Sequence, residues 1–171
     1  MDTVIMPRAA PCFSAASDAF TPGATPQDIF TITGSATKVI EVLRMAISSI
    51  QTTAGTNSWF IAKRSTANSG GTSASVTAVP HDSNDAAATA TVLQYTANPT
   101  AGSLVGNIWS GKQHSPSATT IGLPVMLVDF TLLYGKPIIL TGITDVLGWN
   151  FAGAALPTGL SCHCVVTWIE R

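Results

Sequence analysis

The residues that could carry chemistry in this chain are few and far apart. His81 and His114 stand in segments that are typical of separate surface loops. His163 alternates with Cys162 and Cys164 in an apolar run that predicts a β-strand, so the imidazole faces away from both thiols. These side chains could converge on one metal ion only if that strand were broken. We therefore predict no zinc site.

The densest group of oxygen ligands is the run from His81 to Asp85, HDSND. Closely spaced acceptors suggest a cation site, but the glycine and the distal glutamate of a calcium-binding loop are missing. Asx-turn hydrogen bonding by Asp82 and Asn84 accounts for the same residues without a ligand. We expect a turn here and no bound metal.

Catalytic signatures are also absent from the sequence. It contains neither a nucleophile elbow nor a phosphate-binding glycine loop. Glu41, Asp129 and Asp145 each stand alone in apolar segments, whereas general acid–base catalysis needs two groups at one site. A cupin-like enzyme is disfavoured because the histidine and glutamate clusters that would hold its metal are missing. We predict that the protein is not an enzyme and has no catalytic or cofactor-binding residues.

The charge content of the sequence indicates which partners the chain can have. Charged residues make up 10% of its 171 residues, where about a quarter is typical. So few charges protect a monomer poorly from self-association, so we predict a homo-oligomer, with a trimer favoured. The net charge is −1, and the eight basic residues are scattered, so no basic stripe exists to bind nucleic acid.

Apolar runs and cysteines bear on the compartment. Asp2 and Arg8 interrupt the apolar N-terminal residues, and no run reaches 18 apolar residues, so neither a signal peptide nor a membrane span is expected. The three cysteines are an odd number, and Cys162 and Cys164 are too close in sequence to form an unstrained disulfide. Free, buried thiols fit synthesis in a reducing cytoplasm.

The stretch from Lys38 to Arg64 is the centre of the predicted fold. Two apolar segments flank the small and polar residues Thr52 to Thr56, a pattern that predicts a β-hairpin. Its first segment also has helical spacing, but no helix cap precedes Lys38 and the surrounding runs are rich in Val, Ile and Thr. Because the inward face changes along this segment, either both faces are covered or a bulge lies near Leu43 and Arg44.

Further strands are predicted along the rest of the chain, with polar loops at Ser65 to Ser75 and Gly111 to Gly122. The predicted strands include Ile29 to Thr33, a brief strand at Val76 to Val79, a hairpin-sized pair at Thr89 to Thr96 and Ser103 to Trp109, Leu123 to Tyr134 with Met126, Val128, Phe130, Leu132 and Tyr134 inward, Pro137 to Thr141, Asp145 to Phe151, and Leu160 to Ile169. Eight or more short strands without a convincing helix indicate an all-β fold. We predict a single antiparallel β-sandwich of the jelly-roll type.

The first 27 residues have a different character. Four prolines are spread among Ala, Ser and Thr, and Phe13 and Phe20 are isolated apolar side chains. We predict an extended N-terminal arm over residues 1–27 and a β-sandwich domain over residues 28–171. The arm is either a mobile terminus or an anchor whose Phe13 and Phe20 dock on a neighbouring subunit.

Several turn-rich segments resemble small structural proteins of tailed bacteriophages. These segments are DIFTITGSATK from Asp28, QTTAGT from Gln51, KRSTANSGGTS from Lys63 and AVPHDSNDAAATATVLQYTANPT from Ala78. The resemblance lies in the middle of the chain and carries no active-site residues. It implies a virion-associated β-domain, such as a capsid decoration or cement protein.

The expected function follows from this resemblance. It is a virion structural protein, made in the host bacterial cytoplasm, that binds the major capsid protein and stabilises the assembled head. The alternative is a tail- or fibre-associated module that binds a receptor or glycan, since jelly rolls also serve as lectins. Exposed Trp or Tyr in a loop-lined pocket would favour that alternative, but all four tryptophans lie in strand-like segments where core packing is expected.

Overall fold

The computed structural model describes residues 10–23, 27–117, 125–151 and 159–171, and these ranges are predominantly β-strand. The strands are β1 (Cys12–Ala16), β2 (Asp28–Thr33), β3 (Ile40–Ile50), β4 (Gly55–Arg64), β5 (Thr72–Ser75), β6 (Ala78–Pro80), β7 (Thr91–Ala97), β8 (Leu104–Ser115), β9 (Val125–Asp129), β10 (Ile138–Leu140), β11 (Val146–Phe151) and β12 (Ser161–Glu170). The same ranges hold one short helix, α1 (Phe130–Tyr134), and none of their helices could span a membrane. The all-β prediction is confirmed.

The strands form two antiparallel sheets of six strands each. Sheet A has the order β10-β3-β12-β1-β6, and β9 joins β3 on the same side as β10. Sheet B has the order β5-β7-β2-β11-β4-β8. Buried side chains from both sheets belong to one hydrophobic cluster, so the architecture is sandwich-like.

One end of the interior between the sheets is polar. Ser49 Oγ of β3 lies 2.6 Å from Ser115 Oγ of β8. Asn57 Nδ2 of β4 donates to the same Ser115 oxygen at 2.7 Å and to Gln51 Oε1 at 3.1 Å. Because these side chains are buried, their mutual hydrogen bonds offset the cost of removing them from water. They also link sheet A to sheet B.

The alternation predicted for the last two strands is confirmed. Leu147, Trp149 and Phe151 of β11 are buried in the core, as the period of two requires. Strand β12 lies between β3 and β1, well inside sheet A. Its Cys162 and Cys164 point into the core on one face, and both thiols are free.

Of the two alternatives that the sequence left open for β3, the structure has the bulge. Val42 pairs with Trp168 and Arg44 pairs with Thr167, so Leu43 is an extra residue in the ladder. The inward face therefore changes from Ile40 and Val42 to Met45 and Ile47, and all four side chains are buried. This shift lets a segment with a mixed pattern stay in the sheet with its apolar side chains inward.

The predicted hairpin is wrong in its pairing. β3 pairs with β12, β9 and β10 in sheet A, whereas β4 pairs with β11 and β8 in sheet B. Residues 51–54 therefore cross between the sheets, and Gln51 N donates to Pro116 O at 3.1 Å. The hairpin-sized connection between β7 and β8 also does not form a hairpin, since β7 pairs with β2 and β5 instead of β8. A short turn-rich link fits both a hairpin and a crossing between sheets, so link length could not distinguish them.

The division at residue 27 is corrected by β1. Cys12–Ala16 forms an inner strand of sheet A, between β12 and β6. Phe13 and Phe20, predicted to dock on a neighbouring subunit, are both buried in this chain's own core. The physical reason is that Pro11 and Pro22 flank this segment and leave its ladder hydrogen bonds intact. Residues 1–9 and 24–26 of the predicted arm lie outside the described residues.

Two predicted loops contain strands. The end of the Ser65 to Ser75 loop forms β5, which is exposed along its length and pairs with β7 at one edge of sheet B. The Gly111 to Gly122 loop begins inside β8, which continues to Ser115 along β4. Residues 118–124 of that loop lie outside the described ranges. Small and polar residues are tolerated in the exposed edge strand β5, whereas at the end of β8 Ser115 is buried and hydrogen-bonded to Ser49 and Asn57. The same residue types therefore fit a loop or a strand.

Candidate functional site

The structure keeps the three histidines apart. His81 Nε2 lies 2.8 Å from Ser14 Oγ of β1. His163 Nδ1 lies 3.4 Å from Ser17 O, on the face of β12 opposite its cysteines, and His114 is exposed on β8. Across the described ranges, no three His, Cys, Asp or Glu side chains are grouped as metal ligands.

The HDSND run forms the expected turn. Asp82 Oδ1 accepts hydrogen bonds from Asn84 N at 2.9 Å and from Asn84 Nδ2 at 3.0 Å. The Asp85 amide donates to Asp82 O at 3.0 Å. These bonds are those of an Asx turn, so the acceptor spacing in the sequence has a structural explanation.

The cysteines are poor nucleophiles in the folded chain. Burial raises the pKa of Cys162 to about 12 and holds the pKa of Cys164 well above its usual value. Burial also raises the pKa of the half-buried Cys12. Since the thiolate is the reactive form, none of the three is activated for catalysis.

A buried ion pair lies on sheet B, and sequence reasoning missed it. Arg64 donates from Nε to Asp28 Oδ2 at 2.5 Å and from Nη2 to Asp28 Oδ1 at 2.8 Å. Asn68 and Asn150 also donate to this carboxylate, both at 2.9 Å, while Arg64 Nη1 donates to Gly102 O at 2.9 Å. Every charge is matched by fixed partners, so the network fastens the surrounding loops to the sheet. Its members are distant in sequence, and no local pattern marks them.

A second buried carboxylate, Glu170 of β12, is equally saturated. It accepts hydrogen bonds from the Thr89 and Ala90 amides, from Thr89 Oγ1 and from Trp168 Nε1, at 2.7 to 3.0 Å. Burial by itself raises the pKa of Glu170, but these hydrogen bonds outweigh it and leave the pKa lowered. The group is therefore a buried anchor for residues 89–90, with little freedom to move a proton.

A surface of exposed apolar side chains is the feature that local packing does not explain. The described residues include eleven large apolar side chains that are exposed, and eight of them lie on four elements at neighbouring edges of the two sheets. We call this set the apolar flank: Leu104 and Val105 of β8, Val125 and Leu127 of β9, Leu132, Leu133 and Tyr134 of α1, and Ile139 of β10. Their exposed fractions range from 38% to 83%.

Helix α1 holds the centre of the apolar flank in place. Asp129 caps it by accepting from Leu132 N at 2.9 Å and from Thr131 Oγ1 at 2.6 Å. Those hydrogen bonds, the one from Thr131 first, also lower the pKa of Asp129. Gly135 ends the helix with φ of 73°, a conformation that glycine adopts without strain. Phe130 is buried below, so the helix is anchored while Leu132 faces solvent.

The helix also corrects a prediction. Leu123 to Tyr134 was expected to be one strand with Phe130, Leu132 and Tyr134 inward. Instead the strand ends at Asp129, because this residue caps a helix, and the helical turn leaves Phe130 inward and turns Leu132 outward. Residues 123–124 lie outside the described ranges.

Two hydrogen bonds bring the elements of the apolar flank next to one another. Tyr134 Oη donates to Ile108 O of β8 at 3.0 Å, which links α1, beside the edge of sheet A, to the edge of sheet B. Lys63 Nζ of β4 donates to Ile139 O of β10 at 2.9 Å between the same two edges. Among the described residues, β9 and β8 are edge strands of their sheets.

The four tryptophans lie in or against the core, as the sequence predicts. Trp59, Trp149 and Trp168 are fully buried, and the half-buried Trp109 packs edge-on against Trp149 with centroids 5.8 Å apart. The indole nitrogens of Trp59 and Trp149 have no hydrogen-bond partner among the described residues. Both rings make edge-to-face contacts with neighbouring aromatic rings, so the role of both side chains is to pack the core.

Comparison of the chain with protein-family models, curated proteins and solved structures gives no significant match.

Proposed function

We propose that this chain is a structural protein of a bacteriophage particle, a decoration or cement protein that binds the major capsid protein and stabilises the assembled head. The observation that carries the proposal is the apolar flank on a firmly packed all-β fold. Apolar patches of this kind mark surfaces that meet other proteins. The polar groups described above serve hydrogen-bonded networks, so adhesion is the mechanism that these residues support.

The resemblance to phage structural proteins adds to this proposal through the loops that carry it. Asn68, in the KRSTANSGGTS segment, accepts from Gly102 N at 2.9 Å and donates to Asp28. Gly71 has φ of 73°, and a Cβ there would come within 2.7 Å of Ala97 O. These residues meet conformational needs of the fold, so the shared segments support a shared architecture, and the function follows from that architecture as a proposal.

We also propose a jelly-roll topology within the sandwich-like fold. In a jelly roll the chain alternates between two sheets, and the last two strands insert between earlier ones. Here β12 lies between β1 and β3, while β11 lies between β2 and β4. β8 extends sheet B beside β4, and β9 and β10 extend sheet A beside β3. On this proposal β5, β6 and β7 are an insertion between the fourth and fifth jelly-roll strands.

Quantitative mass spectrometry of purified particles tests the proposed function. Heads and tails of the phage that encodes this sequence would be separated and their proteins quantified against the major capsid protein. We expect the chain in the head fraction at a fixed ratio to the capsid protein. Its presence in tails alone would favour the receptor- or glycan-binding alternative, and its absence from both fractions would overturn a virion role.

The glycan-binding alternative has less support from the described surface. Sugar-binding sites present exposed aromatic faces, but the tryptophans here are committed to the core. Tyr134 is exposed, yet its hydroxyl is bound to Ile108 O and its ring stacks on Phe130. The exposed aliphatic side chains favour contact with another protein, because a glycan site would not use them.

A further inference from the structure

We infer that the apolar flank is the surface through which this chain binds a second copy of itself. The inference rests on the proposed function for adhesion between proteins, and it names a second copy of this chain, in place of the capsid protein, as the occupant of the apolar flank. It does not depend on whether the particle contact is in the head or the tail. It assigns the contact to β8, β9, α1 and β10.

Area is the first reason. With exposed fractions of 38% to 83%, the eight residues of the apolar flank together expose on the order of 700 to 800 Å², backbone atoms included, and a stable interface buries about 800 Å² on each partner. The summed exposure therefore matches one half of a protein interface.

The free strand edges are the second reason. Within the part of the chain that the structure describes, β9 pairs with β3 alone and β8 pairs with β4 alone. Natural proteins protect such edges with charges, prolines or covering segments, but β9 carries exposed Val125 and Leu127 and ends in a single charge, Asp129. A second copy brings identical edges and apolar side chains, so the surface is complementary to itself.

Preorganisation is the third reason. Leu132 and Leu133 stand on a helix that is capped at both ends and anchored by the buried Phe130. Their positions are fixed before binding, so association costs little ordering of this segment. Exposed side chains held in this way have the character of interface anchors rather than of a mobile loop.

The test compares two single substitutions on the apolar flank with a matched one elsewhere. Leu127→Lys alters β9 and Leu132→Lys alters α1, at side chains that are 56% and 83% exposed. Val79→Lys is the control, because Val79 is 58% exposed on β6 at the opposite edge of sheet A. Each protein would be checked for folding by circular dichroism and thermal melting, then measured by sedimentation velocity over a concentration series.

We expect the wild-type chain and Val79→Lys to form the same oligomer. Leu127→Lys and Leu132→Lys should remain folded, with the dissociation constant raised by at least about thirtyfold, the scale of interface hot spots. A wild-type monomer at about 100 µM would overturn this inference and the homo-oligomer predicted from composition, whereas the proposed virion role is tested separately by the mass spectrometry of particles. An oligomer that survives both flank substitutions, or dissociates equally with Val79→Lys, would overturn the surface assignment alone.

Hydrogen exchange of the wild-type chain provides a measurement that needs no variant. Amides of β9 and α1 should exchange more slowly at concentrations where the oligomer forms than after dilution, while amides of β5 should be unaffected. If protection on association falls on β5 and β6 and not on β9 and α1, the contact lies on the opposite side and the inference is wrong.

Discussion

Replacing Phe13 with alanine tests whether β1 is part of the folded domain. Phe13 is 2% exposed and stacks on Trp168, with ring centroids 5.6 Å apart and planes inclined by 24°. Truncating a buried phenylalanine to alanine costs about 3 to 5 kcal/mol. Domains of ordinary stability have a free energy of unfolding of about 5 to 15 kcal/mol, so this single change should remove about a fifth of the total or more.

The measurement is urea denaturation followed by tryptophan fluorescence, to which the adjacent Trp168 contributes. Thermal melting gives the same loss of stability as a temperature. At about 2 to 4 °C per kcal/mol for a chain of this size, Phe13→Ala should lower the melting temperature by roughly 6 to 20 °C. Phe13→Leu keeps more of the volume and should cost about 1.5 kcal/mol or less. Val79→Ala, an exposed change in the adjacent β6, should stay within about 0.5 kcal/mol.

Truncation gives a second outcome for the same reasoning. Starting the chain at Gln27 deletes β1, which pairs with Val165 to Ile169 of β12 on one side and with β6 on the other. The shortened chain should fail to fold, because the loss of β1 leaves the backbone groups of β12 and β6 in sheet A without their partners. A loss below about 1 kcal/mol for Phe13→Ala, together with a folded truncation, would show that Phe13 belongs to a separable arm.

Three further predictions concern the buried polar and thiol groups. Arg64→Met leaves the Asp28 carboxylate buried without its main partner and should cost about 3 to 5 kcal/mol in urea denaturation, part of which Asp28→Asn should recover in the double variant. Because the pKa of Glu170 is lowered in the folded chain, its carboxylate stabilises the fold fully at pH values above the unfolded pKa of about 4.3. That stabilisation is lost as the pH falls through the folded pKa, and urea midpoints measured between pH 7 and pH 2.5 would show the loss. Maleimide should label Cys12 alone in the native chain at pH 8, and all three thiols after unfolding, because the other two are buried.

Each of these three predictions has a result that would contradict it. If Arg64→Met and the double variant are equally destabilised, the cost comes from lost packing and not from an uncompensated charge. If Glu170→Gln shows the same loss of stability in acid as the wild type, other carboxylates carry the acid transition. Rapid native labelling of two or more thiols would mean that β12 opens far more often than its central position implies.

Much of the fold follows from local sequence patterns. The alternation in β11 and β12 predicts their inward faces. The interrupted pattern around Leu43 predicts either a bulge or a strand covered on both faces, because a strict period of two places Val42 and Met45 on opposite faces, and the structure has the bulge. The partner of each strand is a different matter. The link at residues 51–54 is compatible with a hairpin or with a crossing between sheets, and the choice depends on β9 and β12, which lie far away in the chain.

The position of β1 shows why long-range pairing was missed. Within Cys12–Ala16, Phe13 and Ala15 alone form the inward face, and so short a signal among prolines resembles a terminus. Its place is determined by β12, more than 140 residues later, whose ladder has an open side once β3 is paired. The Asp28–Arg64 pair has the same character, since neither residue's neighbours reveal the other.

The run from Val125 to Tyr134 was wrongly predicted to be part of one continuous strand, and it also carries much of the apolar flank. As a continuous strand, it would have buried Leu132 beside Phe130. The cap at Asp129 converts its second half into a helix, which buries Phe130 and leaves Leu132 and Leu133 in solvent. A chain with 10% charged residues has few ways to make such a surface soluble. On the inference drawn above, a second copy of the chain covers these two leucines together with the edge strands β8 and β9.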